Sequence, residues 1–151
     1  MTPAGIAFLL GPPVLVMATI FYLSSQTSTA DHSAFEVMLR KVGHVTEYLV
    51  LSLCWIRAMR GLGVGGDLRG AVVAGIAATF AYAVTDEIHQ TLVDGRHGTP
   101  VDVLIDSIGM MLTAALVLWA GPRRLSPATE PGPLPPERRI RERLDGVREP
   151  G

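Results

Sequence analysis

The chain has 151 residues, 48% of them hydrophobic and with a net charge of −1, and its mean hydropathy is +0.34, which fits one helical domain. The near-neutral total hides an asymmetry: residues 1–121 carry nine acids and six basic residues, residues 122–151 five acids and seven arginines. A single cysteine, Cys54, excludes an intramolecular disulfide and a thiolate metal cluster; inside an apolar helix it reads as a small packing residue.

Four apolar stretches follow in order, 4–23, 42–60, 70–88 and 101–120, each close to the roughly 20 residues that a spanning helix needs. The pattern predicts an all-α polytopic membrane protein: a four-transmembrane-helix bundle over 1–121, then a separate tail over 122–151. The first stretch lacks lysine and arginine and is longer than a signal-peptide core, so it reads as a retained helix despite the small residues Ser28-Thr29-Ala30 after it. Pro12-Pro13 should bend it, since each proline removes a backbone donor. Residues 24–41 read as a polar loop, with a short interfacial helix over 32–40 capped by Asp31 and presenting Phe35, Met38 and Leu39.

The second stretch opens with Lys41, His44, Glu47 and Tyr48; spacings of three and four bring Lys41, His44 and either Glu47 or Tyr48 to one face. The glycine-rich segment 61–69 reads as a tight turn and does not fit a phosphate-binding fingerprint. The third stretch ends with Asp86, Glu87, His89 and Gln90. Asp86 and His89 share a face with Tyr82, while Glu87 points about 100° away. Acids at a helix C-terminus oppose the helix dipole, so a cation should sit nearby: Lys41, Arg96, a protonated histidine or a metal ion. Asp94-Gly95 is a turn. Thr99, Pro100 and Asp102 then form a helix start with a capping-box-like pattern. Asp106 lies one turn deeper, and Gly109 and Thr113 continue its stripe. The final thirty residues hold seven prolines and twelve charges, a composition that predicts disorder.

Arginine and lysine near the helix ends set orientation. Arg57, Arg60, Arg69 and the seven tail arginines stand against Arg40, Lys41 and Arg96. That bias predicts cytoplasmic N and C termini and puts His44, Glu47, Asp86, Glu87, His89, Asp102 and Asp106 toward the outer face. A charge inside a membrane helix costs about 2.5–3.5 kcal/mol on insertion scales and marks a functional site by default.

Taken together, Ser24-Ser25-Gln26, Lys41-x-x-His44-x-x-Glu47-Tyr48, Asp86-Glu87-x-His89-Gln90, Gly95-Arg96 and Asp102-Val103 with Gly109 resemble the VanZ-like family. These are small bacterial membrane proteins whose namesake is associated with low-level resistance to the glycopeptide teicoplanin. The resemblance covers residues 5–120 and implies a multi-pass protein of the bacterial plasma membrane, tied to the cell envelope and antibiotic resistance. Asp106 departs from the pattern, where asparagine is expected, as does Thr113, where glycine is more usual.

Three readings of the polar residues stand side by side. In the first, His44, Glu47, Asp86, Glu87, His89 and Asp106 supply acid–base groups and Lys41, Gln90, Arg96 and Asp102 contact a substrate. That substrate would be a glycopeptide, a lipid-linked cell-wall precursor or a phospholipid head group. In the second, His44-x-x-Glu47 and Asp86-x-x-His89 hold a divalent metal such as Zn²⁺, Mn²⁺ or Fe. In the third, the cluster is an ion-paired network that locks helices or meets another envelope protein. Membrane lipids are partners in all three, and no nucleic acid is expected. A single copy of four helices without an internal repeat argues against a transporter.

Overall fold

The computed structural model describes residues 1–26, 33–96 and 98–121. They form four helices in sequence: α1 (Pro3–Ser24), α2 (Ala34–Gly61), α3 (Leu68–Gln90) and α4 (Pro100–Ala120). The tail over 122–151, Ser28-Thr29-Ala30, Asp31 and His97 lie outside the described residues.

Local chemistry sets the helix starts. Thr2 caps α1, its hydroxyl accepting from the Gly5 amide at 3.2 Å, with Pro3 in the first turn. α1 stays one helix through Pro12 and Pro13. Asp67 caps α3 by accepting from the Gly70 amide at 2.7 Å. Thr99 caps α4, as its position before Pro100 predicts. Between α2 and α3, Gly63, Gly65 and Gly66 all take positive φ, a region costly to residues with a Cβ. At Gly65 a side chain would also run into the backbone of Gly70, so the turn closes only with glycine there.

One expectation is corrected. Residues 34–40 are not a separate interfacial helix but the first turns of α2, which runs unbroken for 28 residues. Phe35, Met38 and Leu39 are exposed along these turns.

Three helices, α1, α3 and α4, are long and apolar enough to cross a membrane. α2 is long enough at about 1.5 Å per residue, yet falls outside that group because its own sequence carries Arg40, Lys41, His44, Glu47, Arg57 and Arg60.

α2 packs against each of the other three helices, and α3 also meets α1 and α4. The core joins Ile20 of α1, Tyr48 and Leu51 of α2, Ala83 of α3 and Met110 of α4. α4 approaches α2 closely because Gly109 has no side chain, and a Cβ there would strike the Val45 carbonyl. Thr113 secures the same contact, donating to the Leu49 carbonyl at 3.0 Å. The expected Asp106–Gly109–Thr113 stripe is thus the face of α4 that is buried on α2.

Candidate functional site

The end of α1, the start of α2, the end of α3 and the start of α4 meet at one end of the bundle, and the buried ionisable side chains collect there. Asp86 is the hub for α1, α2 and α3. Its Oδ2 accepts from Ser24 Oγ at 3.0 Å, Tyr48 OH at 3.4 Å and Gln90 Nε2 at 2.8 Å. Hydrogen bonds to a charged group contribute about 1.5–3 kcal/mol each, so this carboxylate ties three helices with neutral donors. Its other oxygen, Oδ1, is buried without a hydrogen-bond partner among the described residues.

Glu87 points the other way, as the 100° step predicts. One carboxylate oxygen accepts from the Thr99 amide at 2.9 Å and the other lies 3.5 Å from Gln90 Nε2. The side chain thereby links the end of α3 to the start of α4. Asp102 belongs to that start: its Oδ2 accepts from Thr99 Oγ1 at 2.8 Å, while its amide donates to the same hydroxyl at 3.3 Å. The structure places Asp102 in a helix cap, half-buried.

A second group forms between α2, α3 and α4. His44 Nδ1 stands 3.2 Å from Asp106 Oδ1, and the Asp106 side chain is wholly inaccessible. Neither of these atoms, nor Asp106 Oδ2, makes a hydrogen bond among the described residues. Glu87 completes the group: one ligand-type atom from each of His44, Glu87 and Asp106 lies within 4.8 Å of the others. The pairs anticipated from the sequence, His44 with Glu47 and Asp86 with His89, are not the ones gathered. His89 instead turns to α1, its ring 4.3 Å from that of Phe21.

Beside this group opens a cleft of about 150 Å³ lined by Leu23, Ser24, Arg40, Gly43, His44, Glu47 and Arg96. Arg96 hangs over it from the α3–α4 loop. Its Nε donates to the Gln26 carbonyl at 2.9 Å and a terminal nitrogen to the Leu23 carbonyl at 2.8 Å. A cation on the last carbonyls of α1 also suits the negative end of that helix dipole. Burial pulls the Arg96 pKa below its ordinary value, and the charge of Arg40 pulls in the same direction, against nearby Asp86, Glu47 and Glu87. It stays charged, as arginine does in proteins.

Of the sequence candidates, Asp86, Glu87, Gln90 and Asp106 are buried, and His44, Glu47, His89, Arg96 and Asp102 are half-buried. Lys41 is exposed and is not among the residues that line the cleft. Arg40, also exposed, lines the cleft and is absent from the sequence candidates. It had served only to set orientation, although its position four residues before His44 places it on the same face. Ser24 and Tyr48 were read as motif letters, and their role as donors to Asp86 depends on contacts across helices.

The profile of the VanZ/LLP1 family matches residues 10–121. The chain belongs to the VanZ/LLP1 family. The match ends where α4 ends and takes in the whole polar group. No curated protein and no solved structure matches the chain. Family membership and three membrane-length helices together make this a VanZ-like membrane protein.

Proposed function

We propose that the polar end of this VanZ-like protein faces the outside of a bacterial plasma membrane, and that its cleft binds the anionic head group of an envelope amphiphile. The observation that carries the reading is the convergence of two guanidinium groups, Arg40 and Arg96, on one small cleft. Glu47 lines the cleft as well, and an anionic group that reaches both guanidinium groups would add to the partners they already have. Arginine also matches the planar or tetrahedral oxygens of carboxylate and phosphate. Phospholipids and lipid-linked cell-wall precursors carry such groups at the depth where helices meet the membrane surface.

The sidedness rests on the arginine and lysine bias, which favours cytoplasmic termini and four spans. α2 is the fourth span in this reading. Its packing against all three other helices shields the charges on its inner face from lipid, while Arg57 and Arg60 reach the opposite rim. Sequestering or altering an envelope head group is also the route by which such a protein would affect glycopeptide resistance.

The structural-network reading retains one specific support, the three donors held by Asp86. It accounts for Asp86 and leaves the cleft unexplained.

The test is lipid retention. Purified protein in nanodiscs containing anionic and zwitterionic lipids would be analysed by native mass spectrometry. The reading expects retained anionic lipid that is lost in Arg40→Gln/Arg96→Gln and kept in Lys41→Gln, whose side chain does not line the cleft. Equal retention by all three proteins, or no preference for anionic lipid, overturns it.

A further inference from the structure

Asp106 poses a problem that the head-group reading does not resolve. It is a carboxylate with no accessible surface, six residues into α4, and both its oxygens lack a hydrogen bond among the described residues. Burying an ionised carboxylate without compensation costs far more than a fold can spare. The adjacent His44 relieves only part of that cost. Its Nδ1 is 3.2 Å from Asp106 Oδ1, an ion pair when the imidazole is protonated, while Asp106 Oδ2 has no hydrogen-bond partner among the described residues. A nitrogen and an oxygen at this separation are also spaced as two ligands of one metal ion would be.

Glu87 adds the third group, with ligand-type atoms of all three residues within 4.8 Å of one another. Metal bonds of about 2.0–2.2 Å set ligand atoms roughly 3–4.4 Å apart, so shifts of a few tenths of an ångström close the set. We propose that His44, Asp106 and Glu87 form a binding site for a divalent first-row transition ion, Zn²⁺ or Mn²⁺, with one ligand from each of α2, α3 and α4.

The chemistry of the donors favours such an ion. One imidazole with two carboxylates is a nitrogen–oxygen set suited to Zn²⁺ and Mn²⁺. A neutral imidazole and two carboxylates around a divalent cation sum to zero charge, which removes the burden of the buried acids. The supporting partners are also in place. Glu87 is oriented by the Thr99 amide at 2.9 Å, and metal-bound carboxylates are typically fixed in this way. Gly109 allows α4 to lie on α2 beside Asp106. Three protein ligands leave a position for water or another ligand, and His44 also lines the arginine cleft. A head group bound there would lie next to the ion. The metal site does not depend on the head-group reading, since metal content is measured on the protein alone.

The full-length protein, purified in detergent and stripped with chelator, would be titrated separately with Zn²⁺, Mn²⁺ and Co²⁺. The expectation is close to one ion per chain, a rise in melting temperature with Zn²⁺ or Mn²⁺, and a Co²⁺ absorption spectrum typical of nitrogen and oxygen ligands. Asp106→Asn, His44→Gln and Glu87→Gln should each weaken binding by upwards of about 100-fold, beyond the effect of losing a ligand's supporting partner. Asp102→Asn should bind as the parent does. The Co²⁺ spectrum reads the ligand set in the unaltered protein, so the test stands even where a variant misfolds. Only trace metal and no Co²⁺ spectrum in the parent, or equal binding by the parent and all three variants, overturns the proposal.

Discussion

The two ends of the bundle use charge in opposite ways. At the end where α2 turns into α3, the arginines stay on the rim. Arg57 lies over the Phe8 ring at 4.4 Å and donates to the Phe8 carbonyl at 3.2 Å, and it and Arg60 border an otherwise apolar cavity lined by Leu9, Leu53, Ile56, Leu68 and Val117. At the other end three carboxylates, Asp86, Glu87 and Asp106, are taken inside. The first arrangement is what stability alone selects: long cationic side chains cover apolar surface and keep their heads in the aqueous rim. The second is expensive, and the expense falls unevenly. Asp86 has three donors on one oxygen, whereas Asp106 has none among the described residues. The difference teaches that the polar end is two devices. One is a cross-tie centred on Asp86, and the other is a set of ligands around Asp106.

The largest expected effect comes from removing the cross-tie. Asp86→Ala leaves Ser24, Tyr48 and Gln90 without their common acceptor and should lower stability by about 3 kcal/mol, since a buried unsatisfied group costs about 1–3 kcal/mol. Thermal unfolding in detergent measures it; a loss below about 1 kcal/mol would show the hub to be dispensable. At the apolar side of the same helix, Gly75→Val tests packing. A Cβ there would stand 2.7 Å from the Ile56 amide nitrogen, so overpacking of the α2–α3 contact should cost about 1–3 kcal/mol. Unchanged stability would mean that the two helices part easily.

Smaller effects compare the ends directly. Thr99→Ala and Asp67→Ala each delete an N-cap, one at either end, and should each cost about 1 kcal/mol. A larger loss for Thr99→Ala is consistent only with disturbance of Asp102 and Glu87 beyond the cap. Asp106→Asn is the smallest and carries the opposite sign. In metal-free protein it removes a buried charge faced by the His44 imidazole at 3.2 Å while keeping the side chain's shape, and it should leave the melting temperature unchanged or raise it, because the desolvated charge is the larger cost. A fall of several degrees would show that Asp106 is held as firmly as Asp86.

The contrast also marks what the sequence makes legible. Helix positions were readable because apolar stretches and caps such as Thr99–Pro100 are local signals. The opposed directions of Asp86 and Glu87 follow from helical geometry alone and match the observed contacts. The continuity of α2 through residues 34–40 was not readable, since Arg40 and Lys41 break the apolar run without breaking the helix. For the same reason α2 stands apart from the three helices of membrane composition. Pairings across helices were the least accessible. His44 meets Asp106, some sixty residues away, because Gly109 lets α4 close on α2, and no spacing rule along one helix encodes that register.

The account's central claim is that the arginine cleft opens outward and receives an anionic head group, and Gly43 gives the most direct test. It lines the cleft, and a Cβ there would have no neighbour within 4 Å, so Gly43→Cys in a Cys54→Ser background places a thiol in the cleft at little structural cost. Val64→Cys in the α2–α3 turn, an exposed position, is its counterpart at the other end. Labelling with a membrane-impermeant thiol reagent should modify Gly43→Cys in intact cells and Val64→Cys only after permeabilisation. In proteoliposomes anionic lipid should slow labelling at position 43 relative to purely zwitterionic lipid. Labelling of Val64→Cys alone in intact cells, or a rate at position 43 indifferent to head-group charge, would contradict the account.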